Sequence, residues 1–202
     1  VGSCLAKELG VELHALVLGD DGLASSSVEL TDYGADQIIL AEHSDLSTYL
    51  GETFSSVIVS AVKLGDYRAV MFPATAMGKD LAPRVTAMLD TAMATDVTQL
   101  EVSEGELEIT RPMYGGKVFA KMRFTAFPAV ISLRPNAFSP KKNSGAGRIK
   151  NIEVSLPSSE KHRVKEIETL GRKNLDVSEA HSVVSGGRGM KEPGNWRLLE
   201  DL

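Results

Sequence analysis

The stretch Ala180-His181-Ser182-Val183-Val184-Ser185-Gly186-Gly187-Arg188-Gly189-Met190 sets a short β-branched run against a turn of small residues, and a helix is expected after it over about 195–202. Strand, glycine-rich turn and helix in that order form the half-unit with which α/β proteins hold a nucleotide phosphate. Glycine lets the backbone approach a ligand closely and take positive φ. The helix start offers unpaired N–H groups with partial positive charge, and Arg188 adds a fork of donors suited to a diphosphate. The full fingerprint G-x-G-x-x-G is not complete, because Gly187-Arg188-Gly189-Met190-Lys191-Glu192 lacks its third glycine. On pattern alone, two readings stand: a phosphate cradle, or a surface turn after an edge strand.

Upstream of that turn, residues 158–173 are strongly charged with few apolar side chains, which places a linker or domain boundary near 170–174. Further back the chain alternates. Residues 11–19 and 35–40 read as strands, each ending in an apolar run of the kind covered on both faces. Between them, 25–33 suits a short helix closed by Gly34. A helix capped by Ser44 or Asp45 runs to about Lys63, with Leu46, Leu50, Phe54, Val57, Ile58, Ala61 and Val62 on its apolar side. Residues 67–73 give a third strand and 78–90 a helix striped by Leu81, Val85, Met88 and Leu89. This alternation predicts a parallel sheet with right-handed crossovers. From about Val97 the rhythm changes. Residues 97–102, 106–110, 117–124 and 129–133 are strand-like with no helix between them, so an antiparallel meander or a mixed extension of the sheet is expected. Residues 134–147 read as a loop and 149–156 as one more strand. Residues 1–10 read as the end of a helix already in progress, so an N-terminal strand is expected to be missing.

Composition narrows the functional classes. The chain has 202 residues, 43% of them hydrophobic and 24% charged, and a net charge of −5. No Lys/Arg run exceeds two residues, which argues against nucleic acid or an anionic membrane as the main partner. The single cysteine excludes an internal disulfide framework and any multi-cysteine metal site, and Cys4 itself is expected to be a packed thiol. The four histidines, at 14, 43, 162 and 181, have no ligand spacing, and no transmembrane run is present. No catalytic constellation is found. Ser185 lacks the G-x-S-x-G elbow, and His181, four residues back on one strand, would lie about 13 Å away. Trp196 is expected to anchor packing.

The residues Asn174 to Met190, N-L-D-V-S-E-A-H-S-V-V-S-G-G-R-G-M, resemble the entry to the flavin domain of the electron transfer flavoprotein α subunit. Pro73-Ala74-Thr75-Ala76-Met77-Gly78-Lys79-Asp80-Leu81-Ala82-Pro83-Arg84 is similar to that family's G-K-D/N-L-x-P-R helix start, and Arg111-Pro112-Met113-Tyr114-Gly115-Gly116-Lys117 to its R-P-x-Y-x-G-x strand pair. The resemblance covers essentially the whole chain. It implies an α/β fold: a Rossmann-like, mostly parallel sheet with helices on both faces and an antiparallel β extension, followed by the first β-turn-α of a second nucleotide (FAD) domain. Domains are expected at 1–172 and 173–202. It also implies FAD as cofactor, touched here by Ser185, Gly186, Gly187, Arg188 and Gly189, with most contacts expected beyond Leu202. AMP is expected in the sister β subunit. The implied role is that of an electron carrier rather than an enzyme. It pairs with the β subunit, accepts electrons from acyl-CoA and other dehydrogenases, and passes them to a membrane quinone oxidoreductase without itself inserting into the membrane. The compartment is the cytoplasm if bacterial and the mitochondrial matrix if eukaryotic.

A rival reading is a stand-alone adenine-nucleotide-binding α/β module using residues 75–84. Gly78-Lys79 at a helix start looks like an anion cradle, yet Pro73 stands where a Walker A loop has its first glycine, and Asp80 replaces its Ser or Thr. The structural alternative is that Gly78 permits close helix–sheet packing while Lys79 and Asp80 are solvated. For 111–117 the alternatives are a tight turn or a contact with the partner chain.

Overall fold

The structure, a computed structural model, describes residues 1–156, 164–167, 177, 180 and 182–202. The expected boundary at 170–174 and His181 lie outside the described residues, as does most of the charged segment 158–173. The chain divides into two compact units, Val1–Val164 and Lys165–Leu202.

In the first unit the order is α1 (Gly2–Leu9), β1 (His14–Gly19), α2 (Leu23–Ser27), β2 (Gln37–Glu42), α3 (Gly51–Lys63), β3 (Ala69–Pro73), α4 (Ala76–Leu89), β4 (Met93–Val97), β5 (Gln99–Ser103), β6 (Glu106–Met113), β7 (Val118–Arg123), β8 (Ala129–Leu133) and β9 (Arg148–Asn151). Three sheets result, ordered β1-β2-β9, β3-β8-β4 and β5-β6-β7. The first two are parallel and the third is antiparallel. This is the mixed α/β architecture expected, a parallel core carrying an antiparallel extension.

Side-chain alternation shows why β1, β2, β3 and β8 are largely apolar, whereas β4 carries Thr95 and Asp96 and the edge strand β9 is exposed along its length. Leu16 and Leu18 of β1, Ala41 of β2, Val70 and Phe72 of β3 and Val130 of β8 join one core, with Phe54, Val57 and Ile58 of α3 and Leu81, Ala82 and Val85 of α4. The intervening residues point the other way. Ala15, Val17, Ile38 and Leu40 pack with Leu23 of α2 and Leu30. Ala69, Met71, Ala129 and Ile131 pack with Leu5 and Leu9 of α1 and with the antiparallel sheet. A period of two with both faces covered requires a continuous apolar run. Each fully buried Ile, Leu or Val contributes roughly 1.5–3 kcal/mol. Helices therefore cover both faces.

The structure departs from expectation at several elements. Residues 129–133 are not part of a meander: β8 is the central parallel strand of its sheet, between β3 and β4. Its buried A-V-I-S, ending in the half-buried Leu133, is the signature of a strand with neighbours on both edges and layers on both faces. Met93–Val97 forms an additional strand, β4. The helix expected from Ser44 is broken. His43 caps a single 3-10 turn, Ser44–Leu46, and α3 starts at Gly51, where a Cβ would stand 2.5 Å from Oδ2 of Asp80. Strand β9 ends at Asn151 rather than 156. Cys4 is exposed instead of packed, because α1 turns Leu5 and Ala6 inward and leaves Cys4 on the solvent side.

In the second unit, residues 182–187 carry no ladder. A strand exists through pairing, and the described residues of this unit offer no second strand. The helix expected over 195–202 is a 3-10 turn at Pro193–Trp196 running into a single α-turn, α5 (Arg197–Glu200).

Candidate functional site

Within the second unit the glycine turn is compact. Arg188–Met190 forms a 3-10 turn capped by Gly187, with the N–H of Met190 donating to the Gly187 carbonyl at 2.9 Å and that of Lys191 to the Arg188 carbonyl at 3.2 Å. The Asn195 amide closes the far side, donating Nδ2–H to the Met190 carbonyl at 2.8 Å. Ser185, Gly187, Arg188 and Gly189 are exposed, and Gly186 is half-buried.

Gly186 differs from the other two glycines of the turn. A Cβ at Gly186 would meet Leu199 Cδ1 at 2.5 Å and both Met190 Cγ and Trp196 Cζ3 at 3.0 Å. Gly186 is thus the floor against which Met190, Trp196 and Leu199 lie, although Trp196 itself is 49% exposed rather than a buried packing anchor. At Gly187 and Gly189 a Cβ would meet nothing within 4 Å, and neither residue has positive φ. Neither packing nor backbone strain within the unit demands glycine at these two positions. What they provide is a bare backbone on an exposed turn next to an exposed guanidinium, a surface that a flat, anionic ligand can approach closely.

The loop at 75–84 resolves differently. Thr75 caps α4, its Oγ1 accepting from the Gly78 N–H at 3.3 Å. A Cβ on Gly78 would fall 1.7 Å from the Pro73 carbonyl oxygen. Gly78 is therefore glycine because α4 lies directly on the end of β3, which is the close helix–sheet packing named above as the structural alternative. Asp80 is not simply solvated. Its Oδ2 accepts from Tyr49 Oη at 2.5 Å and its Oδ1 from Arg84 Nε at 2.9 Å. The Tyr49 hydrogen bond, with that of Arg84, holds the Asp80 carboxyl below its ordinary range, while burial and Asp80 together push the Tyr49 phenol up to about 12. Tyr49, Asp80 and Arg84 lock the start of α3 to α4. Lys79 remains exposed. Tyr49 and Gly51 carry no motif and could not be found from sequence, because their role depends on how α3 meets α4.

The model of the electron transfer flavoprotein domain matches residues 2–158. The chain belongs to this family. It is similar to the electron transfer flavoprotein subunit alpha of Bacillus subtilis, at 35% identity over 95% of this chain and 59% of that protein. It is also similar to a protein named FixB from Clostridium saccharobutylicum, at 33% identity over 100% of this chain and 61% of that protein. A third relative is the subunit alpha of Syntrophomonas wolfei, at 31% identity over 98% of this chain and 62% of that protein. The chain thus spans about three fifths of the length of the curated relatives it matches. Among the described residues no group of three or more His, Cys, Asp or Glu is placed to hold a metal ion, and no helix is long and apolar enough to cross a membrane.

Proposed function

We propose that this chain is part of the α subunit of an electron carrier that holds FAD together with a β subunit. In this reading it takes electrons from dehydrogenases, acyl-CoA dehydrogenases among them, and delivers them to a membrane quinone oxidoreductase. It works in the cytoplasm of a bacterium or in the mitochondrial matrix, and it has no substrate chemistry of its own. The observation that carries the proposal is the open glycine pair flanking an exposed arginine. Gly187 and Gly189 leave room for a ligand where a Cβ would stand, and Arg188 supplies charge-assisted hydrogen bonds suited to a diphosphate. Ser185 adds a hydroxyl beside them, and Gly186 holds the turn against Trp196. The flavin would supply the redox chemistry, and the protein's task is to hold and orient it and to tune its electronics.

The adenine-nucleotide module at 75–84 is disfavoured, because the features that imitate a cradle there are taken up by Pro73, Tyr49 and Arg84. The test is flavin content. In the protein purified with its partner subunit, Arg188→Ala is expected to lose most of its FAD while Lys79→Ala retains it, read from the visible spectrum. Equal FAD content in the two variants refutes the assignment.

A further inference from the structure

Two motifs that the flavin reading leaves unused, G-K-D at the start of α4 and R-P-M at the end of β6, converge within the first unit. Strands β3, β8 and β4 end side by side, with Leu133 paired to both Pro73 and Val97. In open α/β sheets this carboxyl edge is where ligands bind. Just past it, Arg134 follows β8, and Lys79 stands in the first turn of α4.

Strand β4 is irregular here. Its register shifts between Ala94 and Val97, and Asp96 has φ of 57°. The buried Ser132 hydroxyl accepts the Asp96 N–H at 3.0 Å. Arg134 grips the Asp96 carboxylate with two hydrogen bonds, Nε to Oδ1 at 3.0 Å and a terminal nitrogen to Oδ2. The pairing Gln99↔Thr110 is extended by the Thr98 N–H donating to the Thr110 carbonyl at 3.0 Å, which sets Arg111 opposite Thr98, two residues from Asp96.

The charges do not balance. Both Asp96 oxygens are engaged by Arg134, whereas Lys79 and Arg111 have no ion-pair partner among the described residues. The Arg111 Nε is sealed from solvent without a hydrogen-bond partner. The three cations share one carboxylate in a chain whose net charge is −5. The Asp96 carboxyl is held below its ordinary range first by the Arg134 hydrogen bond, and the charges of Lys79 and Arg111 add to this. A half-buried guanidinium with no counter-ion carries a desolvation cost that a bound anion offsets.

We propose that Lys79, Arg111 and Arg134 form a binding site for a small phosphate-type oxyanion, with Lys79 and Arg111 as direct donors and Arg134 fixed in place by Asp96. The ligand is either free phosphate or the phosphate monoester end of a larger molecule. The proposal is independent of the flavin reading, since every residue in it belongs to the first unit.

The test titrates the purified complex, flavin bound, with inorganic phosphate and in parallel with glycerol phosphate at constant ionic strength, read by phosphorus NMR line broadening. Saturable binding is expected in the unaltered protein. It should be about tenfold weaker in Lys79→Gln and in Arg111→Gln, the loss for one charge-assisted hydrogen bond, with flavin content unchanged. Lys79 is exposed, so that variant folds whatever becomes of Arg111→Gln. Tighter binding of phosphate identifies the free anion as ligand, and tighter binding of glycerol phosphate identifies a monoester. Line broadening that does not saturate with concentration overturns the proposal. So does equal affinity in the unaltered protein and Lys79→Gln, or a loss of binding that follows Arg188→Ala instead.

Discussion

Replacing Gly78 by alanine sets two effects of opposite sign against each other. On helix propensity alone, alanine inside α4 is favoured over glycine by about 1 kcal/mol. Geometry says the reverse. The added Cβ would lie 1.7 Å from the Pro73 carbonyl oxygen and 2.9 Å from its carbon. A normal contact of roughly 3.2 Å requires α4 and the end of β3 to separate by about 1.5 Å. The obstacle is backbone, so no side chain can rotate away. The separation pulls on Leu81, Ala82 and Val85, which are 5%, 0% and 0% exposed. Forcing extra volume into a packed interface costs about 1–3 kcal/mol and sometimes more. With α4 held by its core on one side and β3 held by β8 on the other, the upper end applies. The net expectation is a loss of about 2 kcal/mol, visible as a drop of roughly 1 M in the urea midpoint. Gly194→Ala, where a Cβ meets nothing within 4 Å, serves as the control and should leave the midpoint unmoved. A Gly78→Ala midpoint equal to or above that of the unaltered protein would show that α4 does not rest on β3 as described.

Two further outcomes follow from the core and from Tyr49. Ile131→Ala, at a 0% exposed position of β8, should lower stability by about 2–5 kcal/mol in the same unfolding assay; a loss under 1 kcal/mol would mean that β8 is not central. The Tyr49 phenol is pushed up to about 12, chiefly by burial and then by its hydrogen bond to Asp80. A raised acid constant means that the folded state favours the neutral phenol. Its stabilisation is fully present below pH 10, the ordinary value, and is lost as pH climbs from 10 through 12. Thermal melts across that window should fall more steeply for the unaltered protein than for Tyr49→Phe. Tyr67, raised by its own burial, leaves the variant a residual slope. Identical slopes would contradict the Tyr49–Asp80 contact.

The fold was legible in the sequence wherever periodicity and a glycine stop coincided. The first helix ends at Gly10, whose φ of 66° and paired carbonyls close it as the glycine implied. Strands β2 and β3 announce themselves by apolar runs. Strand β4 is hidden from sequence for a physical reason. Helix α4 ends on Asp90 in a left-handed conformation rather than on glycine, and M-A-T-D-V contains a polar bulge that breaks the pattern. The segment 129–133 reads as a strand, but its place between β3 and β4 is a matter of sheet order, which no local pattern encodes. The same holds for the charged cluster. Lys79 and Arg111 stood out in motifs, while Asp96 and Arg134 did not, since only the alignment of three strand ends brings them together. At the glycine turn, sequence named Gly186, Gly187 and Gly189 together, and the structure separates the packing glycine from the two open ones.

The position of β8 also bears on how the chain acquires its shape. Strands β3 and β4 both pair with β8, which follows them in sequence, and β2 pairs with β9 across more than a hundred residues, as in Ile38↔Ile149. As the chain emerges from the ribosome, no ladder in the β3-β8-β4 sheet can close before Leu133 is available. The second edge of β2 stays bare until Arg148 to Asn151 have followed. Closing loops of this span is slow, and until then apolar strand edges stand open to other chains. A nascent chain halted after β7 would hold β3 and β4 as two separate unpaired edges, the state most prone to aggregation and most in need of a chaperone.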